Sequence, residues 1–228
     1  MRIGFVVNPI AGMGGRVGLK GTDDKLAEAL DRGAEPKAPE RARRALEAFA
    51  NRAPDAEVLV AGGVMGEREA EAADVDARVV TNAPDDVEET SAEDTRAAVR
   101  AFLDEDVDLI LFVGGDGTAV DVAEALQEFE ADTPMLGVPA GAKVYSGVFG
   151  VSPEDAGRIA AGFDRFEQRE VNDIDEDAFR GGEVHTELKA VVNVPVSDGE
   201  LQASKQLSGG SVQTLAEGFA ADADPDVT

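Results

Sequence analysis

The sequence contains no cysteine, which excludes disulfides, cysteine-ligated zinc and thiol catalysis. No apolar run approaches the ~20 residues that a membrane-spanning helix needs. Met1-Arg2 leads straight into a strand-like segment without a signal-peptide layout, so the expectation is a cytoplasmic protein with no membrane partner. Basic residues are scarce: 21 Lys and Arg stand against 47 Asp and Glu, a formal net charge of −26. That balance excludes a nucleic-acid binder, which needs a basic footprint. Lysine occurs only at Lys20, Lys25, Lys37, Lys143, Lys189 and Lys205. Two common phosphate-binding patterns are missing as well. The stretch from Gly12 lacks the third glycine of G-x-G-x-x-G, where Val17 stands, and Lys20, between Leu19 and Gly21, does not complete a G-x-x-x-x-G-K-[ST] loop.

What is present suits a globular chain. Of 228 residues, 43% are hydrophobic and 30% charged, enough for one large domain or for one medium and one small. The acids are spread through every predicted helix, which argues against a disordered acidic tail. An acidic, lysine-poor, Ala- and Gly-rich surface fits a cytoplasm of very high salt, where repulsion is screened within about 3 Å at 1 M.

The stretch from Asp108 to Thr118 organises the rest. Leu109 to Val113 is a short apolar run without period, the pattern of a parallel strand buried on both faces. It stops at Gly114-Gly115-Asp116-Gly117-Thr118, where three glycines allow positive φ and close approach to a ligand. Ala119 to Glu128 reads as a helix with Val122, Ala125, Leu126 and Phe129 on one face. Asp116 is therefore expected at the carboxyl end of a central strand, where open α/β sheets bind ligands, or else as the capping residue of a tight turn.

Further strands are expected at Ile3 to Val7, Val58 to Ala61, Arg78 to Thr81 and Met135 to Val138. Helices are expected at Asp24 to Leu30, at Pro39 to Phe49, after the capping box Ser91-Ala92-Glu93-Asp94, and from Ser152-Pro153. This alternation predicts an α/β fold, an open parallel sheet with helices on both faces. From Gln168 the pattern turns β-like, in Glu170 to Ile174 and Glu183 to Val194 about a turn at Gly181-Gly182. The division predicted is a nucleotide-binding domain over 1–167 and the start of a smaller β-rich domain over 168–228.

Four stretches carry a family resemblance: Asn8-Pro9-Ile10-Ala11-Gly12-Met13-Gly14-Gly15, Gly114 to Thr118, Leu136 to Ser146, and Asn172 to Arg180. Gly114 to Thr118 resembles the GGDGT motif of NAD kinases, diacylglycerol and sphingosine kinases and, more loosely, 6-phosphofructokinases. In their order and spacing the four stretches resemble the ATP-NAD kinase family, specifically its AcoX-like branch, over residues 1 to about 195. The acid excess adds the expectation of a halophilic archaeal source. Relatives usually continue further, so the resemblance implies an incomplete second domain.

The resemblance implies phosphoryl transfer from ATP, or polyphosphate, to the adenosine-ribose 2′-hydroxyl of NAD, with Mg²⁺ on the triphosphate, and a homo-oligomer, dimer or tetramer. Asp116 would be the catalytic base. Asn8, Gly12, Gly14, Gly15, Gly114, Gly115, Gly117 and Thr118 would line the phosphates, with Pro139, Gly141, Lys143, Tyr145 and Ser146 beside the dinucleotide and Asn172 and Asp173 on its ribose and adenine. Read from the residues alone, the 8–22 loop has the alternative of a flexible surface loop, Lys143 that of a solvated cation, Tyr145 that of a core filler, and Asn172-Asp173 that of a turn at a strand end. A lipid or sugar kinase of the same fold and a truncated non-catalytic nucleotide-binding protein are the alternatives.

The charge balance yields a test. Folding is expected to require molar KCl or NaCl, with a melting temperature that climbs between 0.1 and 3 M salt in circular dichroism; a flat response would sink the halophile reading.

Overall fold

The computed structural model describes residues 1–13, 33, 35–141, 143–175 and 185–196. In chain order these form β1 (Arg2–Val7), α1 (Ala38–Ala50), β2 (Glu57–Ala61), α2 (Glu67–Ala72), β3 (Ala77–Thr81), α3 (Ala92–Asp104), β4 (Leu109–Gly114), α4 (Asp116–Glu128), β5 (Met135–Pro139), α5 (Pro153–Ala161), β6 (Arg165–Asp175) and β7 (His185–Val196). The expected helix at 24–30 and turn at 181–182 lie outside the described residues.

β1 to β5 make one parallel sheet in the order β3-β2-β1-β4-β5. The order follows from apolar content. β4 is buried at every position, and Ile3, Phe5, Val6 and Val7 of β1 are fully buried beside it, so these two strands need cover on both faces. Right-handed crossovers place α1 and α2 on one face and, after the chain reverses direction at β3, α3 and α4 on the other. α5 then joins α1, so closely that a Cβ on Gly157 would stand 2.2 Å from the Ala45 carbonyl oxygen.

Local chemistry sets the helix starts. Both the backbone N–H and the hydroxyl of Ser91 donate to Asp94 Oδ2, at 2.9 and 2.7 Å. The Ser152 hydroxyl accepts from Asp155 N at 3.1 Å, with Pro153 opening the helix. Between helices, Arg96 reaches Asp121 at 2.9 Å and Arg44 reaches Glu154 at 2.6 Å. Half-exposed pairs of this kind contribute well under ~1 kcal/mol each; the apolar interior carries the stability.

β6 and β7 form a separate antiparallel pair, with Arg165 opposite Val196 and Val171 opposite Ala190, and an irregularity after Val171. Val171, Ala190, Val192 and Val194 are buried and belong to the same core as the parallel sheet. Three details differ from the sequence reading. β6 starts at Arg165, ahead of the expected change at Gln168. α4 starts at Asp116 itself. Phe129 lies past its end and is 45% exposed, because the chain leaves the helix there and Glu130 takes a positive φ of 49°.

Among the described residues one core position is ionisable. Glu69 on α2 is 7% exposed, and its Oε2 has no hydrogen-bond partner among the described residues. Burial pushes its pKa up to about 7 against the opposing pull of its own backbone amide and of Arg68. A raised folded-state pKa means the stability contribution is complete below the unfolded value near 4.5 and is lost as pH rises through about 7. Glu69→Gln is therefore expected to raise stability by under about 1 kcal/mol at pH 5 and by roughly 3 kcal/mol at most at pH 8. Equal midpoints for the two proteins at pH 8 would contradict this account.

Candidate functional site

In the order β3-β2-β1-β4-β5 the direction of progression reverses between β1 and β4, which makes their carboxyl edge the switch point at which open α/β sheets bind ligands. Asn8, the residue after β1, lies on one side of it. Its backbone N–H donates to the Val113 carbonyl at 2.9 Å, its Oδ1 accepts from Ile10 N at 3.2 Å, and its Nδ2 donates to Thr118 Oγ1 at 3.1 Å. Thr118 is thereby fixed in the first turn of α4.

The three motif glycines serve different ends, and none of them has positive φ. That corrects the expectation drawn from their number: α4 begins at Asp116, so the turn is only Gly114-Gly115. At Gly114 a Cβ would collide with the Thr118 side chain at 2.4 Å, whereas at Gly115 and Gly117 it would meet nothing within 4 Å. The first glycine is needed for packing. The other two leave bare backbone facing open space at a helix start, a surface suited to an anion.

Asp116 is clamped. Its Oδ1 accepts from Ser146 N at 2.8 Å and Tyr145 N at 3.2 Å, and its Oδ2 accepts from Tyr145 N at 2.9 Å. Burial raises its pKa; the hydrogen bonds from Ser146 and Tyr145 resist, and the nearby charge of Asp173 adds to the rise. Desolvation outweighs the amides. A carboxylate has about four acceptor positions; the two amides make three contacts with them, and the Ser146 hydroxyl is a further partner that lowers the pKa.

Ser146 extends the clamp to the second sheet. It is 2% exposed; its Oγ accepts from Asn172 N at 3.0 Å and sits 3.3 Å from the Asn172 carbonyl oxygen. The hydroxyl thus meets the Asn172 backbone and also bears on the Asp116 carboxylate, whose pKa it lowers. Gly147 N donates to Glu170 O at 3.1 Å in the same seam. Asp173 is exposed and lies 3.9 Å from Lys189 Nζ. Lys143 Nζ stands 4.5 Å above the Tyr145 ring, a cation–π contact.

Pro139 is the register partner of Gly114 across β4 and β5, and Gly141 follows with φ of 104°. Gly12, with φ of 78°, stands one residue before the end of the described part of the first loop; Gly14 and Gly15 lie outside the described residues. The structure thus brings Asn8, Thr118, Asp116, Tyr145, Ser146 and Asn172 into one contact chain. It adds Arg41, whose Nη1 donates to the Pro139 carbonyl at 3.0 Å. Its only sequence signal is a base in the first turns of a helix. A cavity of about 270 Å³ opens at the opposite end of α4, lined by Leu126, Gln127, Thr133, Gln168 and Asn193 among others; it contains none of these groups. Among the described residues no three Asp, Glu or His side chains converge as a metal cage.

A carboxylate of raised pKa beside open glycine backbone is equipped to take a proton from a hydroxyl next to a bound phosphate. Residues 3–167 match the family model described as the ATP-NAD kinase N-terminal domain. No curated protein and no solved structure matches the chain.

The seam is testable through Ser146. Ser146→Ala leaves the Asn172 N–H without its acceptor, and the expected cost is about 1–3 kcal/mol of stability, read as a lower urea midpoint at unchanged slope. An unchanged midpoint would mean that the Asn172 amide has another partner.

Proposed function

Since the chain belongs to the ATP-NAD kinase family, we propose that it phosphorylates NAD, transferring the γ-phosphoryl of ATP or of polyphosphate to the 2′-hydroxyl of the adenosine ribose to give NADP. The observation that supports this reading most is the amide-clamped Asp116 with its raised pKa. In the proposal Oδ2 accepts the ribose hydroxyl's hydrogen bond and takes its proton as the oxygen attacks the γ-phosphorus. The bond from that phosphorus to the bridging oxygen breaks, and its electron pair leaves with the diphosphate. The transition state is loose, so positioning and charge neutralisation dominate.

The roles proposed for the other residues follow their places. Gly115 and Gly117 give a phosphate access to backbone. Asn8 and Thr118 hold the turn, and Gly12 with Gly14 and Gly15 extends the phosphate-lining loop. Tyr145, stacked under Lys143, offers a ring to a base, and Asn172-Asp173 approaches the ribose. A divalent ion would neutralise triphosphate charge; with no protein cage among the described residues, it is carried in on the donor's phosphates. We further propose membership of the AcoX-like branch, a halophilic cytoplasmic setting and a homo-oligomer.

Incubation with NAD⁺, ATP and Mg²⁺ in molar KCl, coupled to an NADP⁺-dependent dehydrogenase, is expected to show NADP⁺ formation. Dependence on a diacylglycerol or sugar acceptor, with none on NAD⁺, would replace this reading by another kinase of the GGDGT group. Asp116→Asn is expected to lower kcat by about 10²–10⁴-fold with NAD⁺ affinity changed less than about tenfold. Its amide NH₂ in the Oδ2 position would also face the Tyr145 N–H. In the wild type the rate should rise with pH as Asp116 ionises, and burial places that limb above the range of an ordinary carboxylate. Near-wild-type turnover in Asp116→Asn would remove the residue from the chemistry.

A further inference from the structure

Acids outnumber bases by 47 to 21 in this chain, so a cation has a carboxylate nearby almost by default. Arg44 holds Glu154 at 2.6 Å, Arg78 holds Glu105 at 2.6 Å and Arg96 holds Asp121 at 2.9 Å. Lys37 and Arg41, like Arg52 past the far end of the same helix, depart from this pattern. Among the described residues neither has a carboxylate at ion-pair distance.

These two cations converge on one turn. A Cβ placed on Gly141 would stand 3.3 Å from Arg41 Nε and 3.5 Å from Lys37 Cδ, so both side chains lie against that glycine. Arg41 Nη1 is anchored on the Pro139 carbonyl at 3.0 Å, which orients the guanidinium and leaves its other N–H groups available. Pro139 is the register partner of Gly114. The cations therefore stand one strand away from the turn that carries Asp116, on the β5 side, while Asp116 and Asp173 hold negative charge on the side of α4 and β6. A polyanion reaching this edge is repelled from the carboxylates and has these cations to settle on.

We propose that Lys37, Arg41 and the Gly141 turn bind the polyphosphate chain of the phosphoryl donor. The proposal deepens the NAD kinase reading and rests on it for the word donor, though the anion site itself does not. An arginine fork matches two phosphate oxygens and a lysine adds a compact charge. The chain belongs either to a nucleoside triphosphate or to inorganic polyphosphate.

Tripolyphosphate titrated calorimetrically into the full chain, in fixed molar KCl and without NAD⁺, tests the site. Loss of charge-assisted hydrogen bonds predicts a Kd at least about tenfold weaker for the Lys37→Met/Arg41→Met double variant. Arg52→Met, at the far end of the same helix and with no ion pair among the described residues, should stay within about twofold. Lys37→Met alone breaks no side-chain hydrogen bond among the described residues; it should weaken binding severalfold at an unchanged melting temperature. Displacement by ATP, or by long-chain polyphosphate alone, identifies the source and supports the site in either case. Equal affinity in the wild type and both Lys37 variants overturns it, as does an equal loss in Arg52→Met, which would mean bulk charge. In steady state the donor KM should rise with the NAD⁺ KM unchanged. Absence of any NADP⁺ formation would count against the NAD kinase reading, while the titration would still decide the anion site.

Discussion

Two backbone amides, those of Tyr145 and Ser146, hold the Asp116 carboxylate, and the rest of the site is arranged around that contact. The carboxylate must be buried for its proton affinity to rise and hydrogen-bonded for its burial to be tolerable. Backbone donors meet both demands without adding a positive charge, which would have pulled the pKa down. They also fix the loop after β5 over the start of α4, so one interaction positions both the carboxylate and the loop beside it.

The parallel sheet supplies the frame. Because β1 and β4 are neighbours, Asn8 can brace Thr118 across 110 positions of sequence, and because β5 follows β4 in register, Pro139 lies beside Gly114. Charge is then divided across the frame. Asp116 and Asp173 lie toward α4 and β6, and Lys37 and Arg41, without carboxylate partners among the described residues, lie toward α1 and β5. In so acidic a chain, keeping a few bases free of ion pairs creates local positive potential without altering the overall balance.

Much of this was legible in the sequence, for physical reasons. The apolar run before Gly114 could only be a strand covered on both faces, and alternating strands and helices imply parallel pairing. Capping signals at Ser91 and Ser152 located two helix starts because side-chain oxygens satisfy amides locally. What stayed hidden depended on distant neighbours. Nothing in the composition of Gly114-Gly115-Asp116-Gly117 tells that the first glycine yields to Thr118 while the others face open space. Ser146 stood in a recognisable stretch, but its engagement with the Asn172 backbone required β6 to be in place. Lys37 and Arg41 gave no signal, since lack of an ion pair is a property of the folded surroundings.

The contact chain through Asn8, Thr118, Asp116, Ser146 and Asn172 has a consequence for how the molecule forms. Its links span 110, 30 and 26 residues, and closing loops of such length costs entropy that local helices do not pay. The site therefore assembles after the elements that carry it, when β1 has met β4 and the hairpin has docked. An intermediate with native-like helices and a collapsed core would still lack the clamped carboxylate, so the ability to hold ligand arises only in the last, fully closed topology.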